Sequence, residues 1–383
     1  MPFETHELVL ANARIVLADE VVQGTLHLRR GGIADVDAGA TSVPGAVDCA
    51  GDFLLPGLVE LHTDNLERHL MPRPRVHWPV MPAVLAHDAE IAGAGITTVY
   101  DALGIGDLDA RGVRSRDMTA VLDALVAAQE AASLRAEHFI HVRAEIAVDN
   151  TVELFKPFEG HRLVRLLSVM DHTPGQRQWR DIAKYRTYQQ GKRGLSDAEM
   201  DHFMARARDL QARHADANRA YFVAYCRARG IALASHDDTT PEHVDAARAD
   251  GMAISEFPTR LEAALRAHEV GLSVVMGAPN VVRGGSHSGN VAAIELARAG
   301  LLDTLSSDYV PSSLLSGAFA LAAEAGFTLP RAIRTVTLHP ARSAGLADRG
   351  EIAAGQRADI VRVRMLGDQP VVRTVWRAGR RVL

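Results

Sequence analysis

Between residues 57 and 306, eight apolar strand-like runs alternate with amphipathic helical segments, and this alternation constrains the fold more than any other feature of the chain. The strands are read near 57–62, 96–101, 138–145, 163–170, 231–235, 251–255, 272–276 and 302–306. Helical patterns fall between them, over 82–94, 116–133, 241–250, 259–270 and 289–300. Strands separated by helices pair in parallel, and eight such units close most simply into a barrel. The ends of the chain have a different rhythm. "LVLANARIVLAD" near the start and "GEIAAGQRADIVRVRML" near the finish are short β-rich runs broken by Gly-rich turns. The expected class is therefore α/β: a (β/α)8 TIM-like barrel with a small β-sandwich domain formed from both chain ends. The boundaries are set at 1–54 plus 341–383 for the small domain and 55–340 for the barrel. The interval between the fourth and fifth strands is too long for a simple link, so residues 173–229 are read as a helical insertion.

Nearly half of the 383 residues are apolar, enough for a core of that size. The formal net charge of −5 argues against nucleic acid as a partner, since that footprint is usually basic. No apolar stretch is long enough to span a bilayer, so no membrane partner is expected. The N-terminus carries acids within its apolar run and does not read as a signal peptide, which makes a cytoplasmic location the expectation. Cys49 and Cys226 are the only cysteines and are far apart, which argues against a disulfide framework or a cysteine zinc site. A homo-oligomer is compatible with all of this.

Barrel enzymes place their chemistry at the C-terminal ends of the strands. The first strand delivers His62 and Asp64, two apart and therefore on one face. The third delivers Glu145, and the fourth Asp171 and His172. The fifth delivers His236, Asp237 and Asp238, the sixth Glu256 and the eighth Asp308. Any one of these would ordinarily be a cap or turn residue. A ring of nitrogen and oxygen donors at one mouth instead describes a site for one or two divalent cations.

Basic residues gather in the insertion, on a chain that is acidic overall: Arg177, Arg180, Lys184, Arg186, Lys192 and Arg193. They form either a solvated helix face or a surface for phosphate oxygens. Loop 280–290 offers Arg283, Ser286, His287, Ser288 and Asn290 among glycines, ahead of a helix N-terminus. Asn65, Arg68, Arg73 and Arg75 follow the first strand, among Pro72, Pro74 and Pro79, which are expected to keep that rim extended.

"LPGLVELHTD" and "TLHPARSAGLADRGEIAAGQRADIVRV" resemble the opening and closing segments of the amidohydrolase superfamily. Most members carry His-x-His on the first strand, where this chain has His62-Thr63-Asp64. "HTDNLERHLMPRPRVHWP", "DHTPGQRQWRDIAKYRTY" and "NVVRGGSHSGN" resemble the members that work in phosphonate catabolism. The resemblance implies a diphosphatase of the carbon–phosphorus lyase pathway, cleaving a ribose 5-triphosphate to the 5-phosphate and pyrophosphate. With the strand ends, it implies metal held by His62, Asp64, Glu145, His172 and His236, with Glu145 bridging if two ions bind. Asp308 stands beside the metal as the residue that takes the proton of the attacking water. Zinc is the expected ion, with manganese or iron as alternatives. Asn65, Arg177, Lys184, Arg186, Arg283, Ser286, His287 and Asn290 are the expected contacts to the polyphosphorylated ribose. Two other readings stand beside this one. The chain could be another amidohydrolase, acting on a cyclic amide, an N-acyl amino acid or a nucleobase-like ring. It could instead be a non-catalytic scaffold of a phosphonate-processing complex.

Overall fold

The structure is a computed structural model that describes residues 7–73, 76–108, 118–286 and 289–383. The first strands, β1 (Glu7–Val16), β2 (Val21–Arg29) and β3 (Gly32–Ala38), form an antiparallel meander. Two short strands, β4 (Val47–Asp48) and β5 (Phe53–Pro56), pair in parallel with β1. The chain returns at its far end as β14 (Ile360–Leu366), β15 (Gln369–Arg377) and β16 (Arg380–Arg381). Because β14 pairs with β5, one hydrogen-bonded path runs β16-β15-β14-β5-β1-β2-β3. The sandwich expected from sequence is thus realised as a single eight-stranded sheet. Alternating residues supply its core: Leu10, Ile15, Leu26, Leu28, Leu54, Ile360 and Trp376.

A single residue joins this sheet to the barrel. A Cβ on Gly57 would lie 2.2 Å from the Thr97 hydroxyl oxygen and 2.9 Å from the Asp359 Cβ, so only glycine fits the joint. Its N–H also donates to the Asp359 carbonyl, at 2.7 Å.

The barrel strands are β6 (Leu58–Thr63), β7 (Ile96–Ile105), β8 (Glu137–Glu145) and β9 (Val164–Met170), followed by β10 (Ala232–His236), β11 (Ile254–Glu256), β12 (Ser273–Gly277) and β13 (Thr304–Ser306). They are parallel and lie side by side in chain order. Every residue of β6 and β7 is buried, as expected when interior side chains cover one face and helices the other. Asp308 closes the ring: its N–H donates to the His62 carbonyl at 3.0 Å, and its carbonyl accepts from Asp64 N–H at 2.8 Å.

The insertion contains the helix Ile182–Arg193 and the 33-residue helix Asp197–Arg229. The longer one extends about 50 Å at 1.5 Å per residue. Its C-terminal half packs Phe222, Val223, Tyr225 and Cys226 into the barrel core. Its N-terminal half carries Met200 and Met204 into a separate cluster with Tyr185 and Trp179. Ser196 and Glu199 form a reciprocal capping box at its start. The insertion is therefore anchored on a barrel helix that overshoots the barrel. Among the described residues, no helix is long and apolar enough to cross a membrane.

Candidate metal centre

Glu60 sets the first strand against the last. Its buried carboxylate accepts from His62 N–H, the Ser306 hydroxyl and Ser307 N–H, each at 2.6 Å. Burial raises its pKa against the pull of these bonds. Two residues on, His62 reaches the mouth, with its Nδ1 2.7 Å from Glu256 Oε1. The other oxygen of Glu256 lies 2.7 Å from Nδ1 of His236, at the end of β10. One carboxylate therefore fixes two imidazoles. With the proton on each Nδ1, each Nε2 lone pair faces the mouth. Burial opposes the charge on Glu256, but His62, His141 and His236 outweigh it and hold the carboxyl well below the usual range.

His172 is fixed in the same way. Its Nδ1 lies 2.6 Å from Glu145 Oε2, and its N–H donates to Glu145 Oε1 at 3.1 Å. Asp237 then turns inward at a positive φ of 56°, a conformation aspartate tolerates better than most residues. Its Oδ2 is buried without a hydrogen-bond partner. That oxygen lies 3.5 Å from His236 Nε2 and 3.7 Å from His172 Nε2. These gaps are too long for hydrogen bonds, yet they match donors around a shared ion. Two ligand atoms about 2.1 Å from a tetrahedral ion stand roughly 3.4 Å apart. A second group, His62, Asp64 and Asp308, brings its donor atoms within 4.8 Å of one another, with His62 Nε2 3.7 Å from Asp64 Oδ1. Burial raises the pKa of Asp308, with Asp64 adding to it against the pull of His62 and Arg143.

A further imidazole–carboxylate group provides a contrast. His87, Asp101 and His138 lie between the helix Val80–Gly93 and strands β7 and β8, at separations of 2.7 and 2.8 Å. These are hydrogen-bond lengths, so this group is already satisfied without an ion.

His62, Asp64, Glu145, His172, His236 and Asp308 all border one cavity of about 1190 Å³. Lys184, Arg283, Ser286 and Asn290 border it too, and Lys184 Nζ comes within 3.1 Å of where a Cβ on Gly289 would sit. The helical insertion thus reaches the loop after β12. Glu145 lies against His172, with its Oε2 2.6 Å from Nδ1, and stands outside the two donor groups described above. Other expectations are corrected. Asn65 points away from the mouth, donating to Glu90 at 3.0 Å with His87 Nδ1 3.1 Å away. It opens a short helix, Asn65–Leu70, where an extended rim was expected, because the prolines begin only at residue 72. Arg177 is buried and donates to Asp238 at 2.6 Å and to the His236 carbonyl at 2.7 Å. Arg186 pairs with Asp197 and Asp201 on the surface. His287, Ser288, Pro74 and Arg75 lie outside the described residues. Asp237 as a candidate ligand and Glu256 as a partner shared by two imidazoles were not assigned from sequence. Their signal was present only as strand-end carboxylates.

The amidohydrolase family model matches residues 89–382. The chain belongs to the amidohydrolase family. It is 46% identical over 377 residues to the α-D-ribose 1-methylphosphonate 5-triphosphate diphosphatase of Escherichia coli (strain K12), covering 98% of this chain and 100% of that one. Solved structures share the fold. A 5-methylcytosine deaminase from Klebsiella pneumoniae superposes with a TM-score of 0.65 at 17% identity over 98% of each chain. An N-acetyl-D-glucosamine-6-phosphate deacetylase from Mycobacterium smegmatis gives 0.63 at 17% identity, over 98% of this chain and 100% of that one. The amidohydrolase fold thus carries different chemistries, and the choice among them lies in the mouth.

Proposed function

We propose that this chain is a metal-dependent diphosphatase of phosphonate catabolism, converting α-D-ribose 1-methylphosphonate 5-triphosphate to the 5-phosphate and pyrophosphate. The observation that carries this reading is the 46% identity to the Escherichia coli diphosphatase along its whole length. The cavity is consistent with it, joining imidazole–carboxylate groups to Lys184, Lys192, Arg193 and Arg283.

His172, His236 and Asp237 would hold one divalent ion, and His62 and Asp64, with Asp308 beside them, a second. Zinc suits these donors, as do manganese and iron. When bound, such an ion supplies Lewis acidity and lowers the pKa of the attacking water towards about 7. Glu256 and Glu145 keep three imidazoles in the tautomer that accepts an ion. Asp308, fixed by backbone bonds to His62 and Asp64, takes the proton from the water. The water oxygen bonds to phosphorus, the α–β bridging P–O bond breaks, and its electrons leave with pyrophosphate. That is attack at the α phosphorus; in attack at the β phosphorus the bond's electrons leave with the 5-phosphate instead, and the products are the same. The insertion cations neutralise the leaving group while its helices exclude bulk water.

Phosphorus NMR of the reaction tests the reading. Wild type is expected to release pyrophosphate and the 5-phosphate in equal amounts. Asp308→Asn is expected to retain metal and lose activity by orders of magnitude. Release of single phosphates, or near-normal turnover by Asp308→Asn, contradicts it.

A further inference from the structure

The mouth holds a buried cation that neither ligand group uses. Arg143 lies on β8 two positions before Glu145, so the two side chains share a face of the strand. Its side chain is 8% exposed and borders the cavity. Its Nη1 lies 2.7 and 2.9 Å from the two Asp64 oxygens. Nε is buried with no hydrogen-bond partner, and among the described residues Nη2 forms no hydrogen bond. A guanidinium carries five N–H donors in a rigid fork, and buried donors are normally paired. Here one nitrogen is committed and the rest of the fork is not.

The surroundings say what would complete it. Asp64 anchors the fork beside His62 and Asp308, where the nucleophile is generated. An acceptor is required, and two of the carboxylates acting on it are already engaged: Asp64 by Arg143 Nη1, and Glu256 by two imidazoles. The guanidinium of Arg143 is a permanent cation, as it is for any arginine. A planar fork with a free edge matches the oxygens of a phosphoryl group.

We propose that Arg143 is a substrate-contacting residue whose uncommitted guanidinium edge takes an oxygen of the phosphoryl group under attack. The inference rests on the diphosphatase reading and divides the labour within it. Lys184 and Arg283, on the insertion and the loop after β12, receive the departing pyrophosphate. Arg143, held by Asp64, stabilises the charge that builds on the reacting phosphorus. Because Asp64 holds the fork before substrate arrives, little reorganisation is needed at the moment of reaction. Asp64 then has two tasks, as metal donor and as anchor for Arg143.

The test compares zinc-loaded wild type, Arg143→Lys and Arg143→Ala, measuring metal content by elemental analysis together with kcat and KM. Arg143→Lys keeps a cation for Asp64 and removes the free edge. It is expected to retain the metal content of wild type, with kcat about 100-fold lower and KM changed less than about threefold. Arg143→Ala is expected to regain at least about tenfold in kcat when millimolar guanidinium is added, which a purely structural role would not allow. Wild-type kcat in Arg143→Lys, loss of its metal, or no guanidinium rescue of Arg143→Ala overturns the proposal. Failure of wild type itself to release pyrophosphate refutes the diphosphatase reading instead, so the two failures are distinguishable.

Discussion

Glu256→Gln is the sharpest perturbation of this centre, because one side chain orients two imidazoles. The carboxylate accepts from His62 Nδ1 and His236 Nδ1, each at 2.7 Å. Glutamine has the same shape but offers one carbonyl oxygen and one NH2 donor. The imidazole that meets the NH2 faces donor against donor. It escapes by moving its proton to Nε2, which removes the lone pair aimed at the mouth. One ligand group therefore loses an imidazole, and the other loses the charge that strengthened its support. Removing such a supporting partner typically weakens metal binding about 10–100-fold, or about 1.4–2.7 kcal/mol. Titration of metal-free protein with zinc, in competition with a chromophoric chelator, measures the effect. Circular dichroism on the same samples checks that the barrel is intact. A zinc affinity within about twofold of wild type would refute the assignment of Glu256 as the shared support.

Arg177→Ala is expected to cost about 3–5 kcal/mol in urea unfolding, because it leaves the buried Asp238 carboxylate without its partner. A loss below about 1 kcal/mol would contradict that structural role. Stability is also expected to fall as pH rises from neutral towards about 9. Burial opposes the charge on His138, but Asp101 and Asp88 outweigh it and raise its pKa from 6.5 to about 9. A group raised on folding stabilises fully below its unfolded pKa and loses that contribution as pH passes its folded one. The urea midpoint should decline across this window in wild type and much less in His138→Gln; equal slopes would refute the reasoning.

The barrel was legible because its strands are buried on both faces. They appear as short apolar runs ended by glycine, proline or charge, and each observed strand starts within three residues of its expected position. The ring of donors was legible because strand ends in such a barrel share one mouth. The roles within the ring were not. Whether a carboxylate faces an ion or supports an imidazole depends on orientation across strands. Asp237 reaches the mouth through a left-handed backbone that spacing does not reveal. Glu256 bridges side chains 194 and 20 residues away. Arg177 looked like a phosphate contact because its partner Asp238 lies 61 residues on, and burial turns the pair inward. Arg143 was hidden by Glu145, the more familiar donor on the same strand face.

Anomalous diffraction at the metal edge, from crystals of the metal-loaded enzyme, tests the central claim most directly. The account predicts a peak about 2.0–2.2 Å from His172 Nε2, His236 Nε2 and Asp237 Oδ2, with any second peak against His62 and Asp64. No peak in the mouth at full metal loading, or a peak only among His87, Asp101 and His138, would contradict it.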